Sequence, residues 1–263
     1  FNKLMDHKFS AIIEARMLSS RLEGKVLKKI HNKEILRHII ERVKKSQCLD
    51  NVVVATTKNR KDDKIISLLK KLKINFFRGS SQNVLDRIIR CADKYKINYI
   101  VRITADNPFT DYKLIDYMIN HFNKCTDIDF LANNHYGDPK KRIIAYGLDL
   151  SLFSLSSLKK VRKLSNKKKI FLEYPTLYYH TKGKHLFKIK NILLARQMII
   201  NNNYRLTIDT QDDFEFIKRI FKEYKKVYRK YDYLEINKIR NILNKKKSLI
   251  KINNKIKQFV PEV

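Results

Sequence analysis

Arg16, Ser19, Ser20, Arg21 and Lys25 fall in one short stretch, 11–27, that begins as an apolar run and opens into a loop containing Gly24. Cationic side chains, hydroxyls and exposed backbone N–H groups can together hold a triphosphate. The loop has neither the Walker glycine–lysine pattern nor a GxGxxG fingerprint, so these five side chains must carry much of the anion binding. Asp106 lies three residues beyond the apolar run 99–103, and Asp209 lies just past the run 204–208. Two carboxylates beside a triphosphate cradle suggest one Mg2+, which binds through one or two carboxylates plus phosphate oxygens. Plainer roles compete. Asp106-Asn107-Pro108 reads as an ordinary turn, Asp209-Thr210 as a helix cap, and the loop as a solvated basic loop. Their joint placement at strand ends favours the metal role.

Those residues need a sheet to bring them together. Residues 9–15 read as a strand and 51–56 as a buried β-branched strand, with 74–77 and 99–103 following. Helices alternate with them. Ile35, Leu36, Ile39, Ile40 and Val43 recur on one face of 33–45, and helices are expected over 62–72, from Ser80 or Ser81 to about Tyr95, and over 111–123. Asp62 and Asp63 suit the start of the second helix. Strand–helix alternation predicts an α/β fold with a mostly parallel central sheet covered on both faces. Ligands then bind beyond the carboxyl ends of the strands.

The second half is less regular. Strands are expected over 129–132, 143–150 (carrying Asp149), 186–193 and 204–208, and helices over 154–163, 212–224 and 234–243. Loops are expected over 136–141 and 164–169. Residues 8–225 read as one nucleotide-handling domain, whose less regular part at 129–200 is a candidate for a second pocket or a homodimer surface. Residues 226–263 read as a helical, Lys-rich extension whose tail from Lys245 is peripheral.

The net charge of +32 comes from 58 Lys and Arg against 26 Asp and Glu. The excess is mostly Lys, spread along the whole chain with abundant Ile and Asn, which reads as compositional drift rather than a nucleic-acid surface. Cys48, Cys91 and Cys125 lie far apart without CxxC spacing, which fits a reduced, cytoplasmic setting. No apolar run approaches the ~20 residues of a membrane helix, and nothing near Phe1 reads as a signal peptide. The histidines show no HExxH or His-x-His spacing, and no GxSxG or nucleophile–base pair supports covalent catalysis.

The stretch AIIEARMLSSRLEGKVL resembles the N-terminal motif of the acylneuraminate cytidylyltransferase-like family, closest to its spore-coat polysaccharide biosynthesis branch. Four further stretches are similar in order and spacing: Val53 to Thr57, Phe77-Arg78-Gly79-Ser80 through Val84 to Arg87, Val101 to Pro108, and Arg205 to Thr210 with Asp212, Asp213 and Phe214. The resemblance implies a Rossmann-like, three-layer nucleotidyltransferase fold. It implies transfer of CMP from CTP to a sugar, such as a nonulosonic acid, with release of pyrophosphate. It places Arg16 and Lys25 on the triphosphate, Ser19, Ser20 and Arg21 in the shaping of the loop, Arg78 near the base, and Mg2+ on Asp106 and Asp209. Asn133, Asn134, Asp149 and Glu173 are candidates for sugar contacts, against loop and cap roles. Two positions depart from the family. Glu23 stands where proline is common before Gly24, which puts a carboxylate near the phosphates, and Tyr174 replaces the usual histidine after Glu173. Two other readings remain: a glycosyltransferase using a sugar nucleotide on the same fold, and a basic nucleic-acid-binding protein. The first would typically carry Asp-x-Asp where this chain has Thr104-Ala105-Asp106.

Overall fold

The computed structural model describes residues 7–125, 127–134, 142–192, 194, 198–229 and 234–259. Its spine is β1 (Phe9–Glu14), in which Phe9, Ala11, Ile12 and Ile13 are wholly buried. Period-two alternation sends Phe9, Ala11 and Ile13 into one core and Ile12 into another on the opposite face. Each fully buried large aliphatic stabilises the fold by roughly 2 kcal/mol, so a strand buried on both faces is anchored from two sides.

On one side of β1 lie β4 (Leu49–Thr57) and then β5 (Asn75–Gly79), and on the other lies β6 (Tyr99–Thr104), all parallel. The connecting helices α1 (Ile35–Val43) and α2 (Asp63–Lys71) join the first core with α4 (Tyr112–Lys124), α8 (Gln211–Tyr228) and α9 (Ile236–Lys245). Helix α3 (Val84–Lys94) covers the other face with α5 (Leu155–Leu164), α6 (Lys169–Glu173) and α7 (Pro175–His180). The seven-stranded sheet runs β5-β4-β1-β6-β8-β7-β9, with β7 (Phe130–Ala132), β8 (Ser151–Ser154) and β9 (Ile189–Asn191). Only β8 pairs antiparallel with its neighbours. The mostly parallel, three-layer α/β fold is therefore as expected.

The strand order reverses between β1 and β6, which opens the crevice where such sheets bind ligands. Glu14 is in register with Thr104, so the loop after β1 and Asp106 after β6 emerge side by side.

Several local expectations are corrected. Residues 143–150 and 204–208 form no strands. A single bridge, Tyr146 to Arg205, joins them. Arg142 supplies the reason, because its guanidinium takes the carbonyls of Ile144 and Ala145 at 2.8 and 3.1 Å, leaving them outside any ladder. Gly147, at φ +98°, then packs on the backbone of Leu206 and Thr207. The predicted first helix gives up its first two residues to a short hairpin, β2 (Lys29–Ile30) with β3 (Lys33–Glu34). Asn83, not Ser80 or Ser81, caps α3, whereas the cap read at Asp209-Thr210 is found at Thr210, in a reciprocal box with Asp213. Among the described residues of 186–193, only Ile189–Asn191 forms a strand. Elements α6, α7 and β8 had no counterpart in the sequence reading. The expected loop at 136–141 lies outside the described residues. The segment after Lys245 is not peripheral: Leu249 and Asn253 are buried.

Candidate active site

The loop after β1 is built by two anchors. Asp62, almost wholly buried, accepts from the backbone N–H of Met17 at 2.7 Å and from Thr56 Oγ1 and Thr57 N–H at 3.0 Å each. Asp62 stands at the start of α2 as expected, as its N-cap residue, but its side chain makes no cap hydrogen bond and instead ties the loop to the end of β4. Gly24 N–H closes the loop onto the Met17 carbonyl at 2.8 Å. Gly24 itself adopts φ +69°, and a 3-10 turn follows over Lys25–Leu27. Val26 anchors that turn in the core, and Lys25 is buried with it.

The Lys25 ammonium is the hub. Nζ donates to Asp106 Oδ2 at 2.9 Å, Asp209 Oδ1 at 2.9 Å and the Ile208 carbonyl at 2.6 Å. Burial pulls its pKa down, but the two carboxylates more than offset that and hold it above the usual lysine value. Burial likewise pushes Asp106 up, and Lys25 outweighs it, leaving that carboxyl below the usual aspartate value. Asp209 is held from two sides. Oδ1 also faces Arg21 at 3.0 Å, and Oδ2 accepts from Arg205 at 2.5 Å. Arg205 is fixed in turn by the buried Asp213 at 2.9 Å. Asp106 is set by the crossing chain, since Ile208 N–H donates to the Asp106 carbonyl at 2.9 Å.

These groups line a cavity of about 470 Å³ above the β1–β6 crevice. Arg16, Ser19, Ser20, Arg21, Lys25, Asp106 and Asp209 all reach it, as do Asn134, Asp149 and Glu173. Two candidates do not. Arg78 donates to the carbonyls of Thr57 and Asn59 and pairs with Asp63 at 2.7 Å, away from the cavity. Asn133 bridges the Leu148 carbonyl and the Leu150 N–H, clamping the chain before β8. Asp149 reaches the cavity as half of a bidentate pair with Arg142, at 2.8 and 2.7 Å, and Arg142 stacks on the Tyr146 ring at 3.8 Å. Arg16 and Glu173 face each other at 3.9 Å. The Glu23 carboxylate is not near the phosphate loop's inner face. It is exposed, pairs with Lys61 at 2.6 Å and is held below the usual glutamate value mainly by that hydrogen bond. Tyr174 does line the cavity.

Sequence reasoning passed over Glu14, Arg87, Arg102 and Arg142, which line the cavity, and Arg205, which holds Asp209. A signal existed for three of them. Glu14 and Arg102 interrupt apolar strands and pair at 2.5 Å, and Arg87 is an arginine inside an otherwise core-facing helix surface. Gln258 and Phe259 also line the cavity and carried no signal at all.

The lining is prepared for a polar ligand. Arg87 Nε, Asn134 Oδ1 and Ser151 Oγ are buried without a hydrogen-bond partner among the described residues, and all three residues line the cavity. An unmet buried polar group costs roughly 1–3 kcal/mol, which a bound ligand recovers. The carboxylate pair also fits a hard divalent cation. Asp106 and Asp209 direct oxygens to one cationic centre, and oxygen is the donor such an ion takes. Among the described residues no group of three or more His, Cys, Asp or Glu could hold a metal, so the pair suits an ion completed by substrate and water rather than a closed protein cage. No helix of the described residues is long and apolar enough to cross a membrane.

A cytidylyltransferase family model matches residues 10–244. The spore coat polysaccharide biosynthesis protein SpsF of Bacillus subtilis is 34% identical over 214 residues, spanning 80% of this chain and 84% of that protein. The solved structure of a cytidylyltransferase from Leptospira borgpetersenii serovar Hardjo-bovis is 30% identical, with TM-score 0.83 over 96% of this chain and 99% of its own. A structure of CMP:2-keto-3-deoxy-manno-octonic acid synthetase complexed with CTP shares the fold, with TM-score 0.63 at 15% identity over 82% of this chain and 99% of that one. The family model covers most of the sequence, the fold is that of a nucleotidyltransferase, and the chain belongs to the cytidylyltransferase family.

Proposed function

We propose that this enzyme transfers CMP from CTP to a sugar, with Mg2+ and release of pyrophosphate, in the synthesis of a surface polysaccharide. The observation that carries the reading is the convergence of Lys25 with Asp106 and Asp209 beside the loop of Arg16, Ser19, Ser20 and Arg21. The likeness to SpsF supports the polysaccharide setting.

Asp106 and Asp209 would hold Mg2+ together with phosphate oxygens, and the ion would neutralise charge on the reacting phosphoryl group. Lys25, Arg16 and Arg21 bind the triphosphate from the β1 side. Arg205 and Asp213 keep the Asp209 carboxylate oriented whether or not Lys25 turns toward phosphate. A sugar hydroxyl then attacks the α-phosphorus in line with the leaving pyrophosphate: one P–O bond forms as the α–β bridging bond breaks, and the hydroxyl proton passes to solvent. Fixed cations aimed at the phosphoryl oxygens and a held acceptor supply the acceleration. Family membership favours this over glycosyl transfer from a sugar nucleotide.

The test is pyrophosphate release from each of the four nucleoside triphosphates with Mg2+ and a panel of nonulosonic acids and sugar phosphates. CTP is expected to be preferred. Asp106→Asn and Asp209→Asn should each lower turnover about a hundredfold or more while thermal unfolding stays cooperative. Near-normal rates in both variants would overturn the metal assignment, and no release with any pair would overturn the reaction.

A further inference from the structure

We infer that the segment after α9 forms the acceptor wall of the active cavity. Phe259 and Tyr174 make an aromatic surface for the apolar C–H face of a sugar, and Gln258 positions Asp209 through Arg205. The inference rests on the proposed transfer reaction and adds residues to it.

After α9 the chain makes a 3-10 run, Lys247–Ile252, with Leu249 in the core against α8 and α9. Asn253, 2% exposed, then fastens the segment. Its Nδ2 donates to the Arg205 carbonyl and to Asp213 Oδ1, each at 3.0 Å. From that pin the chain returns to the cavity, where Gln258 Oε1 accepts from Arg205 Nη1. The Phe259 and Tyr174 ring centroids lie 6.1 Å apart at 39°.

Arg205 is thus gripped by three groups: Asp209, Asp213 and Gln258. Asp209 offers Oδ1 to Lys25 and Arg21 of the triphosphate loop and Oδ2 to Arg205. The returning segment therefore reaches Asp209 through the carboxylate oxygen that the loop leaves free. In-line displacement puts the attacking hydroxyl and the departing pyrophosphate on opposite sides of the α-phosphorus. A loop that grips the leaving phosphates leaves other parts of the cavity lining for the acceptor, and Gln258 and Phe259 belong to that lining. A sugar is polar at its rim and apolar on its C–H faces, so an aromatic wall in the same cavity as the Asn134 amide oxygen and the Ser151 hydroxyl, both buried without a partner among the described residues, matches both parts. Phe259 is 56% exposed, so it has surface left for a ligand to cover.

The test separates the wall from the reaction. Phe259→Ala should raise KM for the acceptor about threefold to tenfold and leave KM for CTP within about twofold, while Phe259→Tyr restores the acceptor KM. Gln258→Ala should lower kcat with both KM values little changed, and Gln258→Glu, which keeps an acceptor for Arg205, should restore it. A binding readout is independent of turnover. The chain has no tryptophan, so Phe259→Trp is a unique reporter. Its emission should change on adding N-acetylneuraminate, 3-deoxy-manno-octulosonate or glucose 1-phosphate to the CTP-bound protein, for whichever of these binds. An unchanged acceptor KM in Phe259→Ala, or an emission unmoved by all three sugars, overturns the wall. An inactive wild type whose reporter still responds to a sugar overturns the reaction and leaves the wall standing.

Discussion

Replacing Lys25 by Met tests the electrostatic hub directly. Met roughly preserves the buried stem and removes the ammonium, together with its bonds to Asp106, Asp209 and the Ile208 carbonyl. Breaking a buried ion pair by removing one partner costs about 3–5 kcal/mol. Two features put this case at the lower end. Asp209 keeps Arg21 and Arg205, and the Asp106 side chain is 25% exposed, so water screens part of the orphaned charge. The expected loss is about 3 kcal/mol, or a fall in Tm of about 6–12 °C for a domain of this size. The pH dependence has a definite sign. Asp106 is held below its ordinary pKa, so its contribution is present above that ordinary value and is lost as pH falls through the lower folded one. Lys25 is held above its ordinary value, so its contribution is present below that value and is lost as pH rises through the higher folded one. The gap between wild type and variant is therefore widest between about pH 4 and about pH 10 and narrows on both sides. The assay is urea unfolding across that range, with the double variant Lys25→Met/Asp106→Asn as the control. Removing the orphaned carboxylate should make the double variant more stable than Lys25→Met alone. A Lys25→Met protein as stable as wild type, or a double variant weakened by the sum of the two single effects, would refute the reasoning.

Two further substitutions probe the scaffold around the hub. Asp62→Ala removes the acceptor that joins Met17 N–H to Thr56 and Thr57, so it should destabilise by about 2–4 kcal/mol and raise KM for CTP more than KM for the acceptor, measured by urea unfolding and steady-state kinetics. Gly147→Ala would place a Cβ 2.6 Å from the Leu206 carbonyl carbon and the Thr207 nitrogen at φ +98°, so a loss of about 2 kcal/mol or more in thermal unfolding and a drop in activity through displaced Asp209 are expected; a neutral result would mean that the crossing segment moves freely.

The residues that do local work were legible in order. β1, β4 and β6 read as strands because each is a short apolar run, and α1, α2 and α4 because their apolar residues recur at helical spacing. Asp106 and Asp209 were legible as partners because both follow apolar runs, although only the first run is a strand. What misled was chemistry that works at long range. Asp62 does start its helix, yet its carboxylate serves Met17, 45 residues away, and the end of β4 rather than the helix. Arg78 and Asn133 have the residue types of a binding site, yet backbone groups of the neighbouring chain occupy them.

Pattern and composition, which depend on near neighbours, determined the layered α/β fold, the basic loop after β1 and the pair of carboxylates. The folded chain decided which polar side chains face a ligand and which clamp the scaffold, because that depends on partners supplied by distant segments. Lys25 becomes a buried hub only when residues more than 180 positions later close over it. Gln258 and Phe259 acquire meaning only when a segment with no local motif is pinned by Asn253 and turned back onto the cavity.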